Sequence, residues 1–564
     1  MMTYNFDQPI DRWGTNSAKW DFMPYLKPGA DEATLPMWIA DMDFPCPPPV
    51  VQAVHERADR QIFGYSSYLS PRYFRAVCGW FQRRFGFYVN SRDIMMTRGV
   101  VDAVKTAILA LTRPGDGVVI QMPVYYPFFH TINETGRKVA DSPLVNTDGY
   151  YTIDFDDLES KLADPANKLM VFCSPHNPVG RVWTQEELRR VGELCQKHGV
   201  PLVSDEIHWD FVRAGQRHVP IASLFPKWKD VITCTAPSKT FNLAGMYLSN
   251  IVVPNPEHRK RIEALGMSTS MANPLAIAAT QAAYEQCDGW VDQLNAYLDG
   301  NFAFMAEFLQ KRLPKAKFRV PEGTYLAWVD VSAYCGDTAS LELDLVKDAG
   351  VMLECGDTFG PSGEGFLRIN CACPRAQLEQ ALDRTCAYLS RVKPGDPLRP
   401  FPYDTPWEKG LSMRAGDGRK KVFLFLRYWG CTVCQLDMGA YRDAAADFAA
   451  KDADVYFFLQ SDPALIAAQE PAPLPCPIVC DPERRIFELY AVRPALSFQR
   501  LASPGALGKM QAAAGAGIRG GREEGHPLQL PAALCFDGAG RCVYSHYGRD
   551  AGDLPSPEEL LETL

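Results

Sequence analysis

Lys239 stands alone. Between Asp230 and Glu257 it is the only Asp, Glu, Lys or Arg, set in Thr235-Ala-Pro-Ser-Lys-Thr-Phe-Asn-Leu-Ala-Gly245. A lysine among small and apolar residues loses hydration, which disfavours the ammonium and leaves an amine able to attack a carbonyl. Asp205 follows the apolar run Val200-Pro-Leu-Val-Ser204 and suits a protonated ring nitrogen. Asn177 can donate to a phenolate oxygen, and Tyr125 can stack on an aromatic ring. Asp93-Ile-Met-Met-Thr-Arg-Gly99 runs into Val100-Val-Asp-Ala-Val-Lys-Thr-Ala-Ile-Leu-Ala110. That pattern is a strand, a glycine turn and a helix start, whose free N–H groups hold a phosphate.

These residues are far apart in sequence, so secondary structure must bring them together. Leu169-Met-Val-Phe-Cys173 and Gly117-Val-Val-Ile-Gln121 are short apolar runs that read as buried strands, ending before Ser174-Pro-His-Asn177 and Met122-Pro-Val-Tyr125. Thr184-Gln-Glu-Glu187 is a capping box that opens a helix, and Gly199 ends it. The alternation predicts an α/β domain with a mainly parallel sheet. Ligands bind beyond the carboxyl ends of such strands, where Asp205, Asn177, Tyr125 and Lys239 would converge. Any one of them alone is most often a solvated rim residue; the joint pattern reverses that weighting. An electrophilic, phosphorylated ring bound through lysine is pyridoxal phosphate.

With those motifs assembled, residues 1 to 393 resemble the fold-type I, aspartate-aminotransferase-like enzymes that use this cofactor. The resemblance rests on Ser174-Pro-His-Asn-Pro-Val-Gly180, Ser204-Asp-Glu-Ile-His208, Ala236-Pro-Ser-Lys-Thr-Phe-Asn242 and Phe366-Leu-Arg-Ile-Asn370, in that order. Phe6-Asp-Gln-Pro-Ile-Asp-Arg-Trp13 and Pro36-Met-Trp-Ile-Ala-Asp-Met-Asp-Phe44 look like the C–S β-lyase branch, similar to cystathionine β-lyases. The resemblance implies that Lys239 carries the cofactor and later moves the Cα proton. It implies that Asp205 holds the ring nitrogen, Asn177 the phenolic oxygen, and Tyr125 the ring face. Gly99, Val100, Val101 and Ser238 would hold the phosphate, and Tyr65 would reach it from the neighbouring subunit of a homodimer. Arg368 would clamp the substrate carboxylate fork to fork, with Trp38 lining the substrate pocket. His208 stands where many relatives have tyrosine. Tyr247 stands where aspartate aminotransferases carry a phosphate-binding arginine, a departure compatible with the lyase branch. The implied reaction is β-elimination from cystathionine or a cysteine S-conjugate, giving a thiol, pyruvate and ammonia. An aminotransferase on the same site, and a regulatory protein that binds the cofactor, stay as alternatives.

Residues 391–420 hold five prolines and four glycines without apolar periodicity, so 394–418 read as a linker to a second domain over 419–564. That domain opens on the apolar strand Lys421-Val-Phe-Leu-Phe-Leu426, then Arg427-Tyr-Trp-Gly-Cys-Thr-Val-Cys434 and a helical face of Leu436, Ala440, Ala444 and Phe448. A cysteine at a helix N-terminus has its thiolate favoured. This half resembles the thioredoxin fold in its peroxiredoxin-like branch, which implies Pro531 as a cis-proline beside the thiols. Trp429 is separated from Cys431 by Gly430. Counting back from Cys434, the positions of a peroxidatic threonine and proline are Cys431 and Arg427. Dithiol–disulfide exchange by Cys431 and Cys434 is therefore the expectation, against zinc held with Cys476 and Cys480. No metal is expected. The Gly/Ala-rich stretch 505–525 reads as a loop.

The bulk properties narrow the partners. The 564-residue chain is 47% hydrophobic and 22% charged, with a net charge of -9, and has no basic stripe for nucleic acid. It has neither a signal-like N-terminus nor an apolar run long enough for a membrane span. Its 17 cysteines are scattered, which suits a reducing, cytoplasmic setting. The expected partner is an amino-acid thioether.

Overall fold

Strands buried on both faces, as an α/β layer requires, make up the first sheet apart from the partly exposed edge strand Lys138–Asp141. The strands of this sheet are β1 (Ile94–Thr97), β2 (Gly117–Ile120), β3 (Lys138–Asp141), β4 (Asn167–Cys173), β5 (Leu202–Asp205), β6 (Val231–Thr235) and β7 (Ser249–Val252). The computed structural model describes residues 2–266, 271–335, 338 and 340–564. The sheet order is β1-β7-β6-β5-β4-β2-β3. Only β7 runs antiparallel to its neighbours β6 and β1.

The two-residue period of the strands splits the core into two layers. Val118, Ile120, Leu169, Val171 and Val203 face one way, against Ala103, Val104, Ala107 and Ile108 of α1 (Val100–Leu111). Val119, Met170, Phe172 and Leu202 face the other way, against Leu188, Val191 and Cys195 of α2 (Gln185–His198). The capping box of α2 is formed by Thr184 and Glu187, and the helix ends on Gly199 at φ +65°. A smaller antiparallel sheet has the order β8 (Lys317–Phe318), β9 (Leu326–Asp330), β11 (Phe366–Asn370), β10 (Glu354–Cys355). Arg368 is central in it, opposite Trp328 on one side and Glu354 on the other.

The chain divides into two units, one of residues 1–347 and 351–383, the other of 348–350 and 384–564. The second contains the ribbon β12 (Phe401–Tyr403) and β13 (Leu411–Met413), then β14 (Lys420–Phe425), β15 (Ala453–Leu459), β16 (Ile478–Cys480), β17 (Ala532–Phe536) and β18 (Cys542–Tyr547). Its five-stranded sheet is ordered β16-β15-β14-β17-β18. Val422, Leu424 and Leu426 face one core layer, and Phe423 and Phe425 face the other.

Three expectations for this half differ from the structure. Phe401 and Met413, in the stretch read as linker, are buried with Phe423 and Phe425, because prolines at a ribbon edge do not prevent its apolar side chains from packing. Part of the Gly/Ala-rich stretch forms the helix Pro504–Gly515, capped by the Ser503 side chain. Its alanines compensate for its glycines, and Lys509 pairs with Asp437 at 2.7 Å. The peptide bond before Pro531 is trans; the cis bonds among the described residues precede Pro123, Pro175 and Pro178. No helix among the described residues is long and apolar enough to cross a membrane.

Candidate active site

The carboxyl ends of β1, β4, β5 and β6 open onto one cavity of about 530 Å³. β4 leads to Asn177, β5 ends on Asp205, and β6 feeds the short helix Pro237–Thr240 that carries Ser238 and Lys239. β1 leads through Gly99 into α1, so Gly99, Val100 and Val101 present the helix start to the same space. Tyr125, His208 and Arg368 line it too, and Tyr247 joins them.

Lys239 is partly buried, and its Nζ donates to the Ala40 carbonyl at 2.5 Å. Loss of hydration pushes its pKa down to about 8, against the opposing pull of Asp41. Thr240 next to it is fixed by the buried Asp210, which accepts from Oγ1 at 2.7 Å. Asp205 is 4% exposed. One of its oxygens accepts from Ile207 N–H at 3.0 Å, and no cation is paired with it among the described residues. Burial pushes its carboxyl up to about 7. A buried carboxylate without a cationic partner is an incomplete arrangement that a protonated ring nitrogen completes. His208 Nδ1 is also buried without a protein partner, and burial pushes the ring well below its ordinary pKa, so it stays neutral.

Arg368 is 2% exposed. It donates to Asn177 Oδ1 at 3.2 Å and to the Trp38 carbonyl at 3.0 Å, pairs with Glu354, and lies 4.7 Å over the Phe359 ring. Its Nε has no protein acceptor. The bond to Oδ1 orients the Asn177 amide and leaves its Nδ2 for an acceptor in the cavity. The first N–H groups of α1 have no acceptor inside the helix, and Ser238 lines the same cavity. Lysine amine, buried carboxylate, amide donor, helix start and aromatic face are together the donor set that a phosphorylated pyridine aldehyde needs. The residues fit the group.

Two expected residues lie elsewhere. The Trp38 side chain does not line the cavity; it packs beside Met23, Val346 and Met352, and its Nε1 donates to Lys19 O at 3.0 Å. Its contribution is the backbone carbonyl that holds Arg368. An indole with a buried apolar niche gains more there than in a polar cleft. Tyr65 is 99% exposed and does not line the cavity of its own chain. The sequence reading missed Glu354, Tyr126 and the carbonyl of Ala40. For Glu354 a signal existed: it is the only charged residue of Val351-Met-Leu-Glu-Cys355.

In the second unit, Cys431 caps the helix Thr432–Asp443. Its Sγ accepts from Cys434 N–H at 3.2 Å and from the Arg427 guanidinium at 3.1 Å. The Cys434 thiol, then the Arg427 charge, hold Cys431 below the ordinary thiol range, while burial raises Cys434. Arg427, read in the sequence only as a departure from the peroxiredoxin pattern, is thus the cation beside the Cys431 sulfur. Gly430 is there because Arg522 O and Gly521 C lie 2.6 and 2.7 Å from where a Cβ would sit. Cys476 and Cys480 are free thiols, as are Cys431 and Cys434. No group of three or more potential metal ligands occurs among the described residues.

Fold and cavity define an α/β enzyme scaffold of the aminotransferase type. The chain belongs to the family of aminotransferases of class I and II, which it matches over residues 36–384. Residues 401–519 match the AhpC/TSA family. Among curated relatives, cystathionine beta-lyase PatB of Bacillus subtilis is 45% identical over 389 residues, 68% of this chain and 100% of that protein. Two solved structures are similar. One is a PLP-bound C–S lyase from Staphylococcus hominis, with 38% identity, TM-score 0.66, and 69% of this chain and 98% of that chain covered. The other is cystalysin from Treponema denticola, with pyridoxal 5'-phosphate, 37% identity, TM-score 0.67, and 69% and 99% covered.

Proposed function

We propose that this protein is a pyridoxal-phosphate-dependent C–S β-lyase fused to a thiol-redox domain. It cleaves cystathionine or a cysteine S-conjugate to a thiol, pyruvate and ammonia. The observation that carries the reading is the convergence of Lys239, Asp205, Asn177 and Arg368 in one cavity of a chain 45% identical to a cystathionine β-lyase.

Bound here, the cofactor supplies an electron-withdrawing ring that stabilises negative charge at the substrate Cα. Asp205 holds the ring nitrogen's proton, and the Asn177 amide donates to the phenolic oxygen. Gly99, Val100 and Val101 N–H groups and the Ser238 hydroxyl bind the phosphate, and the Tyr125 ring bounds one face. Arg368 fixes the substrate α-carboxylate and so the direction of the Cα–H bond. Lys239 would hold the cofactor through Nζ, and the same amine is placed to take the proton from the substrate Cα. The Cα–H and Cβ–S bonds break, a double bond forms between the two carbons, and sulfur leaves with the electron pair. Water then releases pyruvate and ammonia.

The exposed Tyr65, together with Ile62, Phe63, Leu69 and Met271, supports a homodimer in which Tyr65 reaches the partner's phosphate. The 17 cysteines scattered along the chain support a cytoplasmic setting. In the second unit the Cys431 thiolate attacks a substrate disulfide and Cys434 displaces the reduced thiol, so the protein dithiol is oxidised as the substrate disulfide is reduced.

Purified holoenzyme given L-cystathionine tests the reading. Pyruvate should form with no added 2-oxo acid. A strict requirement for a 2-oxo acid overturns the lyase in favour of the aminotransferase. A biological effect intact in Lys239→Ala would instead favour a regulatory role.

A further inference from the structure

The Arg368–Glu354 pair poses a problem for substrate entry. The two side chains are directly opposite on adjacent strands, so the register builds the pair into the sheet. Arg368 is 2% and Glu354 8% exposed, and both line the cavity. The charged groups facing Glu354 are Arg368, Glu342, Lys239 and Lys27. Lys27 and Glu342 pair with each other at 2.8 Å. Lys239 also faces Glu354, but Arg368 pairs with it directly and is its main compensating cation. When the fork of Arg368 takes a substrate carboxylate, two carboxylates share one guanidinium in a space with little water. A buried charge left without a full partner is costly, and a cation brought by the substrate removes the deficit.

We infer that Glu354 selects the substrate: the cavity is built for amino acids that carry a second ammonium group on the side chain, which Glu354 receives as Arg368 turns to the α-carboxylate. The inference rests on the proposed role of Arg368 and deepens it. Thioethers made of two joined amino acids carry such a group; S-alkyl cysteines do not. Glu354 lines the cavity together with Tyr126 and Ile39 and sits opposite Arg368 on the neighbouring strand. Glutamine at this position keeps the volume and the hydrogen-bonding capacity but removes the charge; aspartate keeps the charge.

The test uses the holoenzyme with L-ornithine and L-norvaline, which differ by the distal ammonium and have no leaving group at Cβ. Dissociation constants are measured by calorimetry and by the cofactor's absorbance. The wild type should bind ornithine about tenfold or more tightly than norvaline. Glu354→Gln should abolish that preference, and Glu354→Asp should keep most of it, with cofactor content unchanged in both. The kcat/KM ratio of L-cystathionine to S-ethyl-L-cysteine should fall in parallel in Glu354→Gln. No ornithine preference in the wild type, or one that survives in Glu354→Gln, overturns the inference. The binding ratio does not depend on elimination. A protein that shows the ratio but makes no pyruvate refutes the lyase, while one that makes pyruvate without the ratio refutes only the role of Glu354.

Discussion

Arg368 donates to the side-chain oxygen of Asn177 at 3.2 Å across 191 residues of chain. One hydrogen bond thus joins the group assigned to the substrate carboxylate and the group assigned to the cofactor's phenolic oxygen.

Lys239→Ala should lower the rate of pyruvate formation by about 10²–10⁴-fold or more, the range for loss of a positioned acid–base group. Borohydride reduction of the wild type followed by peptide mapping should place the cofactor on the peptide containing Lys239. The variant should melt within a few degrees of the wild type, because Lys239 is only partly buried.

The pH dependence of cofactor attachment should follow the Lys239 amine. Its pKa is pushed down to about 8, so the nucleophilic form fills as pH rises through that value. The rate at which apoprotein captures pyridoxal phosphate should rise from pH 7 and level off above pH 8. Stability carries the matching sign. Between about 8 and the ordinary lysine value of 10.5 the unfolded chain binds more protons than the folded one, so this group's contribution favours folding increasingly as pH rises there.

Asp205 acts in the opposite sense in the apoprotein. Its folded-state pKa is raised to about 7 from 3.8, so the folded state binds the extra proton. The Asp205 contribution to stability is present below the ordinary value and is lost as pH rises through 7. Urea unfolding of apoprotein at pH 5 and pH 8 should show this loss. Asp205→Asn should reduce it, and bound cofactor should reverse it by supplying the cation.

Removing one side of the buried Arg368–Glu354 pair should cost roughly 3–5 kcal/mol of stability. Arg368→Met leaves Glu354 buried without its partner. Denaturant unfolding should therefore find Arg368→Met less stable than the double variant Arg368→Met with Glu354→Gln, which removes both charges.

In the second unit, Arg427→Met should raise the pH midpoint for Cys431 alkylation by about a unit or more, since it deletes the adjacent cation. In the wild type iodoacetamide should label Cys431 well before Cys434 at pH 7. Equal labelling of the two thiols would count against the assignment of Cys431 as the attacking group.

Much of the site was legible because strand ends are legible. An apolar run followed by Asp205, Asn177 or a glycine turn states where each residue must emerge, and a parallel sheet gathers those ends on one edge. Lys239 was visible because it interrupts an uncharged window, and the capping box of Thr184 and Glu187 formed as spaced. Local chemistry of this kind acts within a few residues, so sequence by itself determined the α/β class and pointed to the residues that line the cavity.

Tertiary structure decided the rest. Trp38 could equally pack or line a cleft, and only the niche beside Met23 and Met352 settled it toward packing. Phe401 and Met413 looked like linker until a sheet offered them a core. Glu354 gained its meaning from the strand register that sets it opposite Arg368. Arg427 gained its meaning from the helix start that brings Cys431 to 3.1 Å. In each case the deciding quantity is the free energy of burying or pairing a side chain against a partner distant in sequence or fixed by backbone geometry. Sequence spacing alone does not record which partner that is.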